Sequence, residues 1–324
     1  FSSMISLNDR ALAIVRQMIT DAEALELKAT QLGNGATLLD AGVNVSGSLE
    51  AGRLFAEACL GGMAKVHFCE ISYGEISFPG VDVAVSQPAL ACMGAQYAGW
   101  AVRVSETDAS GSYMAMGSGP ARALFRGEPL FQELEYRDPT DVAVLALESR
   151  SLPSERVAEW IAEKCHVSPA RLYLLVAPTA SLVGSVQVSA RVVETGLHKM
   201  LEVGFDISTV LSGFGTCPVA FVGRDDLHAI GRTNDAVLYG GRAWYTVRGD
   251  DPQIESVIER LPSSASKDYG ISFYELLKQY GGDFYKVDPL LFSPAEVFIN
   301  NVSSGRAFHA GSVSGDLITR MLLE

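Results

Sequence analysis

The stretch RLYLLVAPTASLVGSVQVSARVVETG, residues 171–196, changes periodicity halfway along. Its first eight residues form a nearly continuous apolar run, the pattern of a strand buried on both faces. Thr179, Ser181 and Ser185 then supply hydroxyls suited to helix caps. From Ser185 to Met200 the spacing becomes that of a single helix. A buried strand running directly into a helix is the βα unit of a layered sheet, and ligands collect at the carboxyl ends of such strands.

The same alternation recurs on either side. DVAVLALES (141–149) is a second buried strand, followed by Pro153 and a helix ending at Cys165. Toward the N-terminus, Ser6 and Asp9 resemble a capping box ahead of ALAIVRQMI. NGATLLDAGV supplies a turn and a short strand, and Ser48 opens a helix stopped by Gly61 and Gly62. MAKVHFCEI, VDVAVS and WAVRVS read as strands, with a helix from Pro88 to Ala98 between the last two. The final third adds a strand pair around Gly240 and Gly241, a helix after Asp251, and a hairpin VFINNVSSGRAFHAG turning at Ser304–Gly305. The expected fold class is therefore α/β, with two layered α/β domains. No linker marks the domain boundary. The glycine-rich turns place a break near Pro88 and a return near Ser185, which groups 1–87 with 185–250 and 88–184 with 251–324.

The 324 residues carry 38 acidic against 25 basic side chains, a formal net charge of −13. An acidic chain without Lys/Arg runs is poorly suited to nucleic acid or to anionic membranes. No apolar run approaches the roughly 20 residues a membrane helix needs, and the opening FSSMISLNDR lacks the regions of a secretory signal. Five cysteines at wide, irregular spacing form neither C-x-x-C nor a zinc array. Reduced thiols in a cytoplasmic protein with no metal site are expected.

Gln187, Arg191, Glu194 and His198 recur at helical spacing and form one polar stripe. Val186, Ala190, Val193, Leu197 and Leu201 form the apolar stripe beside it. Arg191 and Glu194, three residues apart, share a face. They are either an exposed ion pair worth ~0.3–0.5 kcal/mol, or a carboxylate held ready for proton transfer by a fixed cation. The neighbours Gly184, Ser185, Ser189, Ala190 and Gly196 are small, so a bulky flat ligand could come close.

Three further stretches carry polar groups among glycines. MGSGPARAL places Gly117, Ser118 and Gly119 ahead of Pro120 and Arg122, which is either a tight strand-to-helix turn or an anion site made of free N–H groups. It lacks the third glycine and the acidic partner of a dinucleotide fingerprint. APTASLVGS places Thr179 at a strand end. GRTNDAVLYGGR crowds Arg232, Thr233, Asn234 and Asp235 ahead of an expected strand, as a ligand-facing cluster or as ordinary turn chemistry.

Taken together, YMAMGSGPARAL, LLVAPTASLVGSVQVSARVVETG, GRTNDAVLYGG and SSASKDYG, supported by EAGRLFAEACLGG and DFYKVDP, resemble the methenyltetrahydromethanopterin cyclohydrolase family. They stand in that family's order from about Leu7 to the C-terminus. The insert SETDASGS before Tyr113 departs from the pattern and reads as a loop. The resemblance implies reversible hydrolysis of the N5,N10-methenyl bridge of a tetrahydromethanopterin-type carrier to the N5-formyl form in one-carbon metabolism. It also implies two α/β parts with the substrate cleft between them, a homotrimer, and no metal or prosthetic group. The family's catalytic Arg and Glu fall on Arg191 and Glu194. The turn Gly117–Ser118–Gly119 and Gln187 are candidates for the substrate. Arg122, Arg232 and Lys286 are candidates for its anionic tail or for structural ion pairs, and Thr179, Asn234 and Asp235 for the pterin edge. A redox enzyme on the same carrier would need a nicotinamide or deazaflavin site, against which the defective fingerprint speaks. A non-catalytic pterin-binding oligomer is the other alternative.

Overall fold

The computed structural model describes residues 5–105, 112–282 and 286–323. The expected loop SETDASGS falls largely on 106–111, outside the described residues, as do the first three residues of DFYKVDP. The strands are β1 (Lys28–Gln31), β2 (Thr37–Asp40), β3 (Ala64–Tyr73), β4 (Ile76–Ser86), β5 (Trp100–Ser105), β6 (Ser112–Ser118), β7 (Ala143–Glu148), β8 (Leu172–Ala177), β9 (Val210–Pro218), β10 (Arg242–Val247), β11 (Glu296–Asn301) and β12 (Arg306–Gly311). The helices used below are α1 (Leu7–Thr20), α2 (Leu49–Cys59), α3 (Arg122–Phe125), α4 (Leu130–Glu133), α5 (Glu155–Cys165), α6 (Leu182–Ser189), α7 (Val192–Glu202), α8 (Asp226–Gly240), α9 (Asp251–Val257) and α10 (Phe273–Gln279).

The chain divides into two compact units, Phe1–Ala64 with Leu90–Gly184, and Lys65–Ala89 with Ser185–Glu324. The breaks near Pro88 and Ser185 coincide with two of these crossings, but the grouping differs from the expected one. The reason is strand pairing. β2 pairs in parallel with β8, which ties the N-terminal segment to residues 90–184. β4 pairs with β9, which ties residues 65–89 to the C-terminal part.

The first unit holds a six-stranded sheet in the order β1-β2-β8-β7-β6-β5, parallel through β2, β8 and β7. Its parallel core explains the continuous apolar runs, because both faces are covered. Leu39, Val144, Ala146 and Leu175 face α1 and α2, meeting Leu12, Val15, Leu54 and Phe55. Their neighbours Leu38, Leu145, Leu147 and Leu174 point the other way, to Val157, Ile161 and Cys165 of α5. Ser6, Ser48 and Ser154 accept from backbone N–H groups at the starts of α1, α2 and α5, as N-caps do.

The second unit holds a sheet in the order β12-β11-β10-β9-β4-β3. Here burial alternates along β10, as in a sheet covered on one face. The covered face packs against α7, and it does so at close range. A Cβ on Gly213 would lie 2.5 Å from a Val193 methyl, and one on Gly215 2.6 Å from a Val192 methyl. The other face carries a row in register across four strands, Phe214, Trp244, Phe298 and His309. Trp244 and Phe298 stack with centroids 5.3 Å apart, and Phe298 stacks on His309 at 4.4 Å.

Several local expectations change. Residues 89–96 wind as a π-helix rather than a regular α-helix. Residues 231–240 are the second half of α8 and not a turn before a strand; Ala229, Thr233, Ala236 and Tyr239 bury one helical face, and the strand starts only at Arg242. The single helix expected over 185–200 is two, α6 and α7, separated by Ala190 and Arg191. Among the described residues no helix is long and apolar enough to cross a membrane.

Candidate active site

The break between α6 and α7 is built from side-chain chemistry. Ser189, the last residue of α6, donates its hydroxyl to Ser185 O at 3.0 Å and to Pro218 O at 2.9 Å. Such i→i−4 back-bonding competes with the helix ladder and bends it. The Arg191 N–H then turns inward to Val188 O at 3.0 Å, and its carbonyl accepts Thr195 N–H at 2.8 Å, the first bond of α7. Arg191 is therefore the N-cap of α7, with φ −84° and ψ 1°, and Glu194 sits in the first turn.

The break keeps three side chains together. Gln187 Oε1 accepts from Arg191 Nε at 3.2 Å and from Arg191 Nη2 at 3.1 Å. Arg191 Nη1 lies 3.6 Å from Glu194 Oε2, with side-chain exposures of 12% and 5%. These values dispose of the idle surface pair, since solvent does not screen charges so enclosed. Besides the cation, the amino end of α7 favours a carboxylate in its first turn by about 0.3–1 kcal/mol, and more where partly buried.

The backbone under Glu194 is fixed from the sheet. Tyr245 on β10 is buried and donates its hydroxyl to Val193 O at 2.8 Å. Gly196 leaves room for that phenol, because a Cβ there would collide with the Tyr245 hydroxyl. Gly213 and Gly215 leave room on β9 for the Val193 and Val192 methyls, so the first turn of α7 sits close on the sheet.

The remaining candidates differ in how their polar atoms are engaged within the fold. Arg122 has 0% exposure. Its Nε and Nη2 grip Glu128 at 2.8 and 2.5 Å, and Nη1 donates to Met93 O at 3.0 Å and Ala95 O at 2.9 Å. It is a structural ion pair inside the first unit. The anion site expected ahead of it is also spent. Gly119 N–H donates to Ala95 O and Ala121 N–H to Val144 O, while the Ser118 hydroxyl donates to Gln96 O. Gly117 is buried and packs on Trp100, where a Cβ would lie 3.0 Å from the Trp100 carbonyl oxygen. The stretch is the tight turn.

Asp235 is buried and accepts Phe273 N–H at 2.9 Å, the first residue of α10. Burial pushes its carboxyl up to about 8, against the opposing pull of that N–H. Asn234 donates its amide to Ile230 O at 2.8 Å, and both it and Arg232 are half-buried on α8. Lys286 is exposed. Thr179, at the carboxyl end of β8, donates its hydroxyl to Glu148 at the end of β7. Glu148 lies outside the sequence motifs, although a carboxylate closing a buried apolar strand is a readable signal. Tyr245 and Lys199 likewise carry no signal in the sequence motifs. Lys199 is fully buried on α7, donates to Leu290 O, and burial lowers its amine to about 8. Among the described residues, no three His, Cys, Asp or Glu side chains are grouped to hold a metal.

Residues 6–322 match the family described as Cyclohydrolase (MCH), and the chain belongs to that family. Among its relatives is the methenyltetrahydromethanopterin cyclohydrolase of Methanocaldococcus jannaschii, 48% identical over 326 aligned positions covering 98% of each chain. The enzymes of that name from Methanothermobacter marburgensis and Methanococcoides burtonii are 47% and 41% identical, over 98% and 97% of this chain and 99% and 97% of theirs.

Proposed function

We propose that this chain reversibly hydrolyses N5,N10-methenyl-tetrahydromethanopterin to the N5-formyl form, with Glu194 as the general base and Arg191 as its orienting cation. The observation that carries the reading is a carboxylate 5% exposed, 3.6 Å from an arginine, in a chain matched along its length by cyclohydrolases. The methenyl carbon is a planar cationic amidinium and already electrophilic; what it lacks at neutral pH is hydroxide. Glu194 takes a proton from water as the oxygen–carbon bond forms, and a neutral carbinol results. The protonated Glu194 then gives its proton to N10 as the C–N10 bond breaks. The carbinol hydroxyl loses its proton as the formyl carbonyl forms, so one proton is released overall. General-base assistance of this kind contributes about 10²–10⁴-fold.

No metal or prosthetic group is required by these steps, since the substrate supplies the electrophile. Thr179 with Glu148, Arg232, Asn234 and Lys286 remain candidates for the pterin edge and the anionic tail. For assembly we propose the homotrimer, in the cytoplasm. What supports self-association is the open row Phe214, Trp244, Phe298 and His309. One flank of that row carries both signs, Arg242 and Glu296 paired at 2.9 Å, so a like surface can meet it without net repulsion.

The deciding experiment follows loss of the methenyl absorption with no added cofactor. Wild-type protein should clear it, and Glu194→Gln should slow it at least 100-fold with folding and binding retained. A Gln variant near the wild-type rate refutes the assignment. Dependence on a hydride acceptor would instead indicate the redox reading.

A further inference from the structure

We propose that Gln187 is a positioning residue, which occupies one edge of the Arg191 guanidinium and so keeps that cation at arm's length from Glu194. This rests on the reading of Glu194 as the base. A guanidinium pairs most tightly with a carboxylate through two parallel N–H groups, commonly Nε and Nη2. In this chain Arg122 does so, holding Glu128 by that edge at 2.8 and 2.5 Å. Arg191 offers the same edge to Gln187, at 3.2 and 3.1 Å. What it turns toward Glu194 is Nη1, and the 3.6 Å separation exceeds a charge-assisted hydrogen bond of roughly 2.7–2.9 Å.

The difference between the two arginines has a chemical sense. A carboxylate locked in a two-point pair is stabilised as the anion and becomes a poor proton acceptor. A neutral amide four residues before the arginine takes its Nε–Nη2 edge, while Nη1 faces a carboxylate three residues after it. Arg191 then orients Glu194 without neutralising it. Gln187 is itself 3% exposed, so water does not compete for its carbonyl. The break at Ala190–Arg191 lets α6 contribute the amide and α7 the carboxylate.

Removing the amide frees the Nε–Nη2 edge to close on Glu194. Titratable groups on the elements packed around this turn include His198 with Glu202 and Lys199 with Asp288, and on the sheet Cys217 and Tyr245. None of them is altered by changing Gln187. The test is the pH profile of kcat/KM for Gln187→Met and Gln187→Glu, beside Glu194→Gln. Met keeps the length and removes the acceptor. Its acidic limb should move down by about one pH unit, with kcat reduced about 10-fold. Glu ties Arg191 more firmly and adds negative charge, so its limb should move up.

Limbs displaced in opposite directions support the proposal, because a packing defect slows both variants without separating their profiles. Limbs that superimpose on wild type overturn it and leave Glu194 standing as the base. A Glu194→Gln enzyme at wild-type rate removes the underlying reading. Gln187→Glu carries the test alone if the Met variant does not fold.

Discussion

The Tyr245 phenol donates to the carbonyl of Val193, and the next residue along the helix is Glu194. A buried hydroxyl on the sheet thus fixes the backbone that carries the proposed base. Tyr245→Phe loses one neutral hydrogen bond, about 1 kcal/mol of stability. The expected result is a several-fold lower kcat at unchanged KM, since small misplacements of a reacting group are costly. Steady-state kinetics beside thermal unfolding checks this, and an unchanged kcat would confine Tyr245 to stability.

Arg122 behaves in the opposite way. Replacing it by Met strands the Glu128 carboxylate and removes the donors to Met93 O and Ala95 O. Breaking a buried pair from one side costs about 3–5 kcal/mol. The midpoint of urea unfolding should fall sharply, while any folded fraction keeps its KM. A raised KM in a stable variant would restore Arg122 as a tail ligand.

Asp235 makes stability depend on pH. Its carboxyl rises from an ordinary 3.8 to about 8 in the folded protein, because burial disfavours the charged form. The folded state then binds the proton more tightly than the unfolded chain does. Asp235 therefore lowers stability progressively as pH rises from about 4 to about 8, with the full cost above that. Asparagine keeps an acceptor for Phe273 N–H and cannot ionise. Asp235→Asn should be more stable than wild type at pH 8–9, with the advantage shrinking toward pH 5, as urea unfolding across that range would show. Equal stability at all pH values would contradict the assignment.

Trp244 sits at the middle of the open aromatic row. Trp244→Glu should shift the protein to smaller species in analytical ultracentrifugation, with secondary structure unchanged by circular dichroism. An unaltered sedimentation coefficient would move the subunit contact elsewhere.

The sequence discloses much of this architecture for a physical reason. Strands β7 and β8 are buried on both faces, so their apolar runs are unbroken and easily read. The caps Ser6 and Ser48 are visible because the backbone N–H groups they bond follow within three residues; the Ser154 cap of α5 emerges only from the structure. What stays hidden depends on partners far along the chain. The helix break at Arg191 relies on Ser189 reaching Pro218, and α8 hides its apolar face behind a run of polar residues that resembles a turn. In sequence Arg122 is indistinguishable from a ligand-binding arginine; only Glu128, Met93 and Ala95 around it make it structural. The acidic base candidate was legible, but the amide that shares its arginine acquires meaning only from the distances.

The interleaved route of the chain bears on how it is made. Everything the first sheet needs has been synthesised once residue 184 is added. Residues 65–89, however, must wait for β9, because Val83 pairs with Gly215. At about 5–20 residues per second that delay is on the order of ten seconds. Throughout it the β4 edge bearing Val81, Val83 and Val85 lacks its partner strand, an unpaired edge open to wrong pairing.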